Sequence, residues 1–112
     1  MDHQAIVDHY DACAAEYARL FSSVSTNSLH LGYHDEWHRS LEEAAANFTD
    51  VLAAHARLKR GESVFDAGCG LGGSAVLLAR KGAKVVGVDL NERHVEAAHE
   101  LARRFGVADQ AQ

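Results

Sequence analysis

The sequence predicts a parallel α/β unit that follows a helical N-terminal segment, and three observations support this prediction. Two short apolar stretches, 63–67 and 84–89, have the length and the β-branched content of buried strands. A glycine-rich turn at 68–73 follows the first of them directly. Each stretch is then followed by a segment with helical periodicity, 74–81 and 91–105. Strands and helices that alternate in this way favour a parallel sheet.

The N-terminal segment is predicted to contain two helices. Residues 3–21 form one amphipathic helix, because apolar side chains recur on one face at spacings of three and four: Ile6, Tyr10, Cys13, Tyr17 and Leu20. A second helix is predicted over 40–59, since Ser40 and Glu43 have the spacing of a capping box and Gly61 follows the last turn. The segment between them is polar and then irregular, with Gly32 arguing against a helix there.

The composition excludes several classes of protein. A net charge of -5 and a pI near 5.8 argue against a basic nucleic-acid-binding face. No apolar run approaches the roughly 20 residues that span a bilayer, and the N-terminus does not have the pattern of a secretory signal. The two cysteines, Cys13 and Cys69, stand far apart and fit a reducing compartment. We therefore expect a cytoplasmic protein that neither spans a membrane nor binds nucleic acid.

The glycine-rich turn is the most informative segment for function. A strand that runs through glycines into a helix directs backbone N–H groups towards a ligand, and glycines let that ligand lie against bare backbone. Asp89 ends the second strand, 19 residues after Gly70. A carboxylate at that place suits the two hydroxyl groups of a ribose. The spacing therefore predicts a ligand that contains a nucleoside.

The identity of that nucleoside depends on Asp66. Gly68, Gly70 and Gly73 satisfy the G-x-G-x-x-G fingerprint of dinucleotide sites, which is a weak signal by itself. A carboxylate two positions before the first glycine disfavours a pyrophosphate and favours a ligand with a cationic end, such as the ammonium and sulfonium of S-adenosylmethionine. The alternative for Asp66 is a structural role, in which its carboxylate caps the glycine turn.

At these residues the sequence resembles a known family. Residues 64–73, Val-Phe-Asp-Ala-Gly-Cys-Gly-Leu-Gly-Gly, resemble motif I of the class I S-adenosylmethionine-dependent methyltransferases, and 85–89 resemble their next strand. Upstream, Tyr10-Asp11, Tyr17 and residues 29–35 are similar to the lead-in of the small-molecule branch. That branch includes tocopherol, sterol, sugar-O and glycine-betaine-type methyltransferases, with cyclopropane-fatty-acid synthases as distant relatives.

The resemblance implies a role for individual residues. Gly68 and Gly70 would approach the methionine part of the cofactor and Asp66 its ammonium. Cys69 belongs to the same cofactor-binding loop, although we interpret its thiol as a packed side chain rather than a nucleophile. Asp89 would hold the ribose. The remaining two positions that we assign to the cofactor site are Leu90, on the adenine, and Tyr33, near the sulfonium.

The resemblance also implies an architecture. The fold is a Rossmann-like parallel sheet, here only its first two strands, with an N-terminal helical lid over 1–61 and the first half of the cofactor-binding domain over 62–112. The cofactor would be S-adenosyl-L-methionine, the product S-adenosyl-L-homocysteine, and the acceptor a small molecule. The family's sheet has seven strands, so we expect this chain alone to bind cofactor weakly and to be inactive. It would be a truncated product or would work with a complementing C-terminal half or as a homo-oligomer.

Two other functions remain open at this point. The chain could be a fragment of an NAD-binding oxidoreductase, or a non-catalytic interaction module that kept the nucleotide fold. His30, His34 and His38 recur every four residues, a spacing that would line up metal ligands on a helix, but Gly32 and Tyr33 interrupt any helix there. We therefore predict no metal site, and the sequence does not identify a catalytic residue.

Overall fold

The computed structural model of the chain describes residues 2–21 and 29–112. This part of the chain contains five helices and two strands, one helix more than the sequence predicts. Their bounds are α1 (His3–Ala12), α2 (Ala14–Phe21), α3 (Leu41–His55), β1 (Ser63–Ala67), α4 (Gly73–Arg80), β2 (Lys84–Val88) and α5 (Glu92–Arg104). None of these helices is long and apolar enough to cross a membrane.

The two strands form the predicted parallel sheet. β1 and β2 pair in register from Ser63 opposite Lys84 to Ala67 opposite Val88. A short parallel bridge extends the sheet on the far side of β2, where the Val85 N–H donates to the Gln110 carbonyl at 2.6 Å. Residues 110–112 therefore pair with β2 in the manner of a third parallel strand.

Among residues 2–21 and 29–112, the helices that pack on the sheet cover one of its faces. α4 and α5 pack on that face and form the core with β2 and the residues that follow each helix: Ala75, Val76, Ala79, Ala83, Val85, Leu101, Ala102, Val107 and Ala111. On the opposite face, Phe65 lies beside Val86 in the parallel register and is 67% exposed. Val86 and Val88 are 49% and 45% exposed. The sheet thus has one packed face and one bare apolar face, although strands of a parallel sheet are usually buried on both.

The single helix predicted over 3–21 is wrong, because the chain breaks at Cys13 into α1 and α2. Cys13 has ψ near 7° rather than a helical value, while its carbonyl still accepts the Tyr17 N–H at 2.9 Å. Tyr10 and Tyr17 stand about 10.5 Å apart along the axis of a straight helix. Their ring centroids are 5.4 Å apart in this structure. The break therefore favours a ring contact that a straight helix would not allow.

The second predicted helix, 40–59, starts as expected but ends early. The Ser40 and Glu43 capping box is present in full. The helix stops at His55 because Arg57 takes a left-handed conformation, with φ of 53°. The Arg57 and Leu58 N–H groups then donate to the carbonyls of the last turn in the pattern of a Schellman motif. Leu58 packs against the core, so its burial explains why the chain turns four residues before the predicted end.

Replacing Arg57 with glycine should stabilise the chain. A side chain at a left-handed position costs about 1 kcal/mol, which glycine avoids. We expect Arg57→Gly to raise the free energy of unfolding by about 1 kcal/mol in urea denaturation, and Arg57→Ala, which keeps the Cβ, to leave it nearly unchanged. Equal stability of the two variants would show that the Arg57 backbone is not strained.

The segment 29–35 lies against α3 with its backbone close to that of the helix. The Tyr33 N–H donates to the Ala44 carbonyl at 2.9 Å, and the Asn47 amide donates to the Tyr33 carbonyl at 2.8 Å. A Cβ at Gly32 would overlap the backbone and the side chain of Ala44. Gly32 is therefore required by this close approach, whereas the sequence indicated only that it disfavours a helix.

Asp35 organises the turn that leads into α3. Its Oδ1 accepts the backbone N–H groups of Trp37 at 2.9 Å and His38 at 2.8 Å, and it also contacts His38 Nδ1 at 2.8 Å. Desolvation opposes ionisation of this carboxyl, but the hydrogen bonds outweigh it and lower the pKa of Asp35. Because this stretch is a turn, the histidines of the sequence pattern do not share a helical face.

Candidate functional site at the carboxyl ends of the strands

A cavity of about 310 Å³ lies where β1 and β2 end. Ligands of parallel α/β sheets bind at this edge. The glycine-rich turn and the residue after each strand form its floor, while α1 and the segment at 29–30 form its walls. The lining residues are Ile6, Val7, Tyr10, Leu29, His30, Asp66, Gly68, Cys69, Gly70, Gly73, Ser74, Asp89, Leu90, Asn91 and His94.

The backbone N–H groups of the glycine-rich turn are not directed towards a ligand, contrary to the prediction from the sequence. The N–H groups of Gly68 and Cys69 both donate to the Val88 carbonyl, at 2.8 and 2.9 Å, and the Gly70 N–H donates to the Asp89 carboxylate at 2.9 Å. These amides join the turn to the end of β2 instead of pointing at a ligand. The polar end that faces the cavity is the first turn of α4, which begins at Gly73 and has no side-chain cap.

Asp89 connects the glycine-rich turn to α5. Its Oδ2 accepts the Gly70 N–H, and its Oδ1 accepts the Asn91 N–H at 2.9 Å and contacts His94 Nδ1 at 3.3 Å. An ionised carboxylate offers about four acceptor sites. Two ligand hydroxyls could therefore bind if the His94 contact, the longest of the three, were displaced.

Asp66 has an unsatisfied oxygen on the cavity wall. Its Oδ2 is buried and has no hydrogen-bond partner among the described residues. Burial raises the pKa of the Asp66 carboxyl, while the field of His30 opposes this rise and that of Asp89 adds to it. The sequence left open that Asp66 caps the glycine turn. In the structure, the carboxylate that accepts an N–H of this turn is that of Asp89. A buried acceptor without a partner is costly, which makes Asp66 a candidate to receive a donor from a ligand.

The residues present fit an S-adenosylmethionine-type ligand. The unsatisfied Asp66 oxygen matches an ammonium group, and the start of α4 matches a carboxylate. Gly70 lines the cavity with bare backbone at φ of 53°, and a Cβ on it would lie 3.3 Å from the Leu29 side chain. The Asp66 oxygen, the start of α4 and the bare backbone at Gly70 are therefore all compatible with this ligand.

His30 is a wall residue whose role the sequence did not identify. Its Nδ1 lies 2.9 Å from the Leu31 carbonyl, which can only accept, so Nδ1 carries the proton in the neutral ring. Its Nε2 lies 3.1 Å from the Ser74 hydroxyl, which is 3.1 Å from the Thr49 hydroxyl. This chain of contacts joins the segment at 29–31 to α4 and α3 beside the cavity.

α1 closes the opposite wall through contacts with the start of α5. The ring of Tyr10 meets the ring of His94 edge to face, with centroids 5.4 Å apart. The Asn91 amide donates to the Asp11 carboxylate at 2.9 Å, and Arg93 lies 3.8 Å from the same carboxylate. The sequence had placed Tyr10 on an apolar helix face, but only the three-dimensional structure shows that it reaches the cavity.

The structure brings together six of the seven residues predicted for the cofactor site. Asp66, Gly68, Cys69, Gly70, Asp89 and Leu90 all line the cavity. Tyr33 is 51% exposed, binds α3 through its backbone and does not line the cavity. Burial, with Asp66 and Asp89 nearby, raises the pKa of the Cys69 thiol, which agrees with a packed side chain rather than a nucleophile. In the part of the chain that the structure describes, no group of histidine, cysteine and acidic residues is placed to hold a metal ion.

Comparison with known proteins identifies the family. The family model of mycolic acid cyclopropane synthetase matches residues 1–112, the whole chain. The chain belongs to this family. It is 36% identical over 101 residues to 27-O-demethylrifamycin SV methyltransferase of Amycolatopsis mediterranei, covering 89% of this chain and 36% of the relative. It is 41% identical over 86 residues to erythromycin 3''-O-methyltransferase of Saccharopolyspora erythraea, covering 75% of this chain and 28% of the relative.

Similar solved structures confirm the Rossmann-like fold and its N-terminal helices. The [4+2]-cyclase SpnF superimposes with a TM-score of 0.85 at 24% identity, over 100% of this chain and 41% of that one. A methyltransferase from Thiobacillus denitrificans, in complex with S-adenosyl-L-homocysteine, has a TM-score of 0.51 at 33% identity. The match covers 56% of this chain and 26% of that one. The family resemblance stated from the sequence is thus confirmed. The chain spans about a third of the length of the curated relatives it matches.

Proposed function

We propose that the chain forms the cofactor half of an S-adenosylmethionine-dependent methyltransferase that acts on a small-molecule acceptor. The observation that supports this most directly is the buried Asp66 oxygen without a partner, in a cavity that also contains Asp89 at the end of the next strand. The relative of known structure that holds S-adenosyl-L-homocysteine agrees with this cofactor. The names of the two sequence relatives agree with a small-molecule acceptor.

Each element of the cavity would hold one part of the cofactor. The carboxylate of Asp66 would accept from the ammonium group, and the first turn of α4 would face the carboxylate of the methionine part. Asp89 would accept from the ribose hydroxyls, and Leu90, which is 54% exposed at the cavity, would cover the adenine. The bound cofactor would supply an electrophilic methyl group. The chain itself would bind the cofactor, orient it and shield it. Much of the acceleration of a group transfer can arise from such positioning.

The segment that precedes the sheet would act as a lid. α1 lines the cavity through Ile6, Val7 and Tyr10, and Leu29 and His30 line it from the other side. We therefore propose that 1–61 forms the lid and 62–112 the first half of the cofactor-binding domain. The rest of the family's catalytic domain, in a complementing C-terminal half or in a second copy, would contact the acceptor in the cytoplasm.

A calorimetric titration with S-adenosyl-L-homocysteine at pH 7.0 tests the cofactor assignment. We expect saturable binding near one ligand per chain and no detectable binding of NAD. Tighter binding of NAD would favour the oxidoreductase alternative. A folded chain that binds neither ligand would contradict the proposal and favour an interaction module.

Asp66→Asn should weaken ligand binding and stabilise the empty chain. The change keeps the shape of the side chain but removes the charge that attracts the ammonium, so we expect the affinity for S-adenosyl-L-homocysteine to fall about tenfold. Because the folded-state pKa of Asp66 is raised, its contribution to stability is present below the unfolded pKa and is lost as the pH rises through the folded one. At pH 7.0 the ionised group is therefore unfavourable, and the variant should unfold at a higher temperature.

Asp35→Asn is the matched control for this result. The pKa of Asp35 is lowered in the fold, so its ionised form contributes stability at neutral pH that is lost as the pH falls. The same chemical change should therefore lower the unfolding temperature at pH 7.0. A loss of stability in both variants would show that the Asp66 carboxylate has a structural partner.

A further inference from the structure

Asn91 connects α1, one wall of the cavity, to the carboxylate at the end of β2. Its side-chain amide donates to the Asp11 carboxylate of α1 at 2.9 Å, across 80 positions of sequence. Its backbone N–H donates to Asp89 Oδ1, also at 2.9 Å. Asn91 is 3% exposed. One buried residue therefore contacts both the helix that lines the cavity and the carboxylate proposed to hold the ribose.

The N-cap of α5 accounts for only part of the Asn91 side chain. The cap requires an acceptor, and Asn91 Oδ1 accepts the Arg93 N–H at 3.0 Å. Aspartate, serine and asparagine serve about equally well in that role. Because Oδ1 faces a backbone N–H, the amide nitrogen must face the Asp11 carboxylate, which can only accept. The amide is thus a donor that capping does not use, and aspartate at this position would lack it.

A second polar contact between α1 and α5 is weak. Arg93 lies 3.8 Å from the Asp11 carboxylate, and its side chain is 76% exposed, so this ion pair contributes little. No residue of α1 is buried. A part-buried hydrogen bond to a carboxylate is stronger than an exposed ion pair at this distance. We therefore expect the contact between Asn91 and Asp11 to dominate the polar attachment of α1.

We propose that Asn91 is a positioning residue, which holds α1 against the cavity and thereby strengthens cofactor binding. The inference rests on the proposed function and concerns the same cavity. α1 contributes Ile6, Val7 and Tyr10 to the wall, so its release would remove their contacts with a ligand. A free helix of ten residues is marginal in water, so released α1 would also unwind. A ligand would then have to order α1 again as it binds.

The test exchanges the two partners and measures the affinity for S-adenosyl-L-homocysteine by calorimetry at pH 7.0. Asn91→Asp keeps the cap acceptor but places two carboxylates in contact, which should weaken the docking of α1 at least about tenfold. If docked and released α1 have about equal free energy at the start, the docked fraction falls from roughly one half to about one tenth. The affinity should then fall about fivefold.

Adding Asp11→Asn to Asn91→Asp should restore binding. The amide now stands on α1 and the carboxylate at the cap, so the hydrogen bond can form again in the opposite direction. We expect this double variant to bind within about twofold of the unmodified chain. The matched control adds Asp8→Asn to Asn91→Asp instead. Asp8 is exposed on the same helix and contacts Gln4, so its loss of charge should restore nothing.

Hydrogen exchange of the empty chain examines α1 without any ligand. The α1 amides should exchange about twofold faster in Asn91→Asp, as the released fraction rises, and should recover in the exchanged pair. The α5 amides should keep their protection in both variants, because aspartate still caps that helix. A residue that acted only as a cap would not produce this difference between the two helices.

The outcomes separate this inference from the proposed function. Unchanged affinity in Asn91→Asp, or a loss that Asp11→Asn does not restore, would overturn the inference and leave the proposed function standing. Unchanged exchange of the α1 amides would overturn it whatever the affinities. If the exchange of α1 rises and recovers as expected but the unmodified chain does not bind S-adenosyl-L-homocysteine, the proposed function is contradicted and the attachment of α1 through Asn91 stands.

Discussion

Asp89→Ala should remove at least a hundredfold of the affinity for S-adenosyl-L-homocysteine. In the proposed complex this carboxylate accepts from two ribose hydroxyls, and two hydrogen bonds to a charged group are together worth about 3 kcal/mol. The loss should be larger than for Asp66→Asn because Asp89 also positions the loop, through the Gly70 N–H at 2.9 Å. Isothermal calorimetry at pH 7.0 measures the difference directly.

A structural loss and a binding loss must be separated in this variant. Asp109→Ala removes the same charge from an exposed position outside the cavity and should leave the affinity unchanged. Asp89→Asn keeps an oxygen for one of the amides and should retain more thermal stability than Asp89→Ala while still binding poorly. If Asp89→Ala bound the ligand as tightly as the unmodified chain, the ribose assignment would be wrong.

Gly32→Ala should destabilise the chain by about 3 kcal/mol, at the upper end of the range for overpacked sites. The added Cβ would overlap the backbone of Ala44, which is fully buried, and neither side can yield without moving a backbone. Movement of the 29–35 segment would break the Tyr33 to Ala44 hydrogen bond and displace His30 from Ser74. We therefore expect a lower urea midpoint and weaker ligand binding together.

Gly106→Ala provides the comparison for this substitution. Its Cβ would meet open space, so its cost is limited to about 1 kcal/mol for a left-handed backbone, with φ of 68°. It lies outside the cavity and should not alter binding. Equal destabilisation of the two variants would show that the close approach of Gly32 to α3 does not occur in solution.

Local signals in the sequence predicted most of the fold. The Ser40 and Glu43 capping box and both strands are set by neighbouring residues, and the structure contains each of them. The end of α3 could not be predicted in this way. The left-handed Arg57 is favoured by the burial of Leu58 against residues from later in the chain, which overrides the local signal from Gly61.

The residues of the candidate site are likewise of two kinds: those that local sequence signals identify and those that only the fold brings together. Asp66, Asp89 and the glycines between them could be found because a strand, a turn and a helix fix their relative positions. Tyr10 and His94 meet at the cavity although 84 positions separate them in sequence. No periodicity or motif connects two such residues. The same holds for His30 and Ser74, whose contact depends on how the 29–35 segment rests on α3.

The bare face of the sheet has a practical consequence for work with this chain. Phe65, Val86 and Val88 form an exposed apolar surface on the two strands, and the charged residue in phase with Val86 and Val88 on β2 is Lys84 at its start. We therefore expect self-association through this face, more than unfolding, to limit the concentration at which the chain can be studied. Light scattering should rise steeply with concentration and with salt, since added salt weakens the mutual repulsion of molecules that each carry a net charge of -5. Dilute, low-salt solutions are the conditions under which a single molecule is observed.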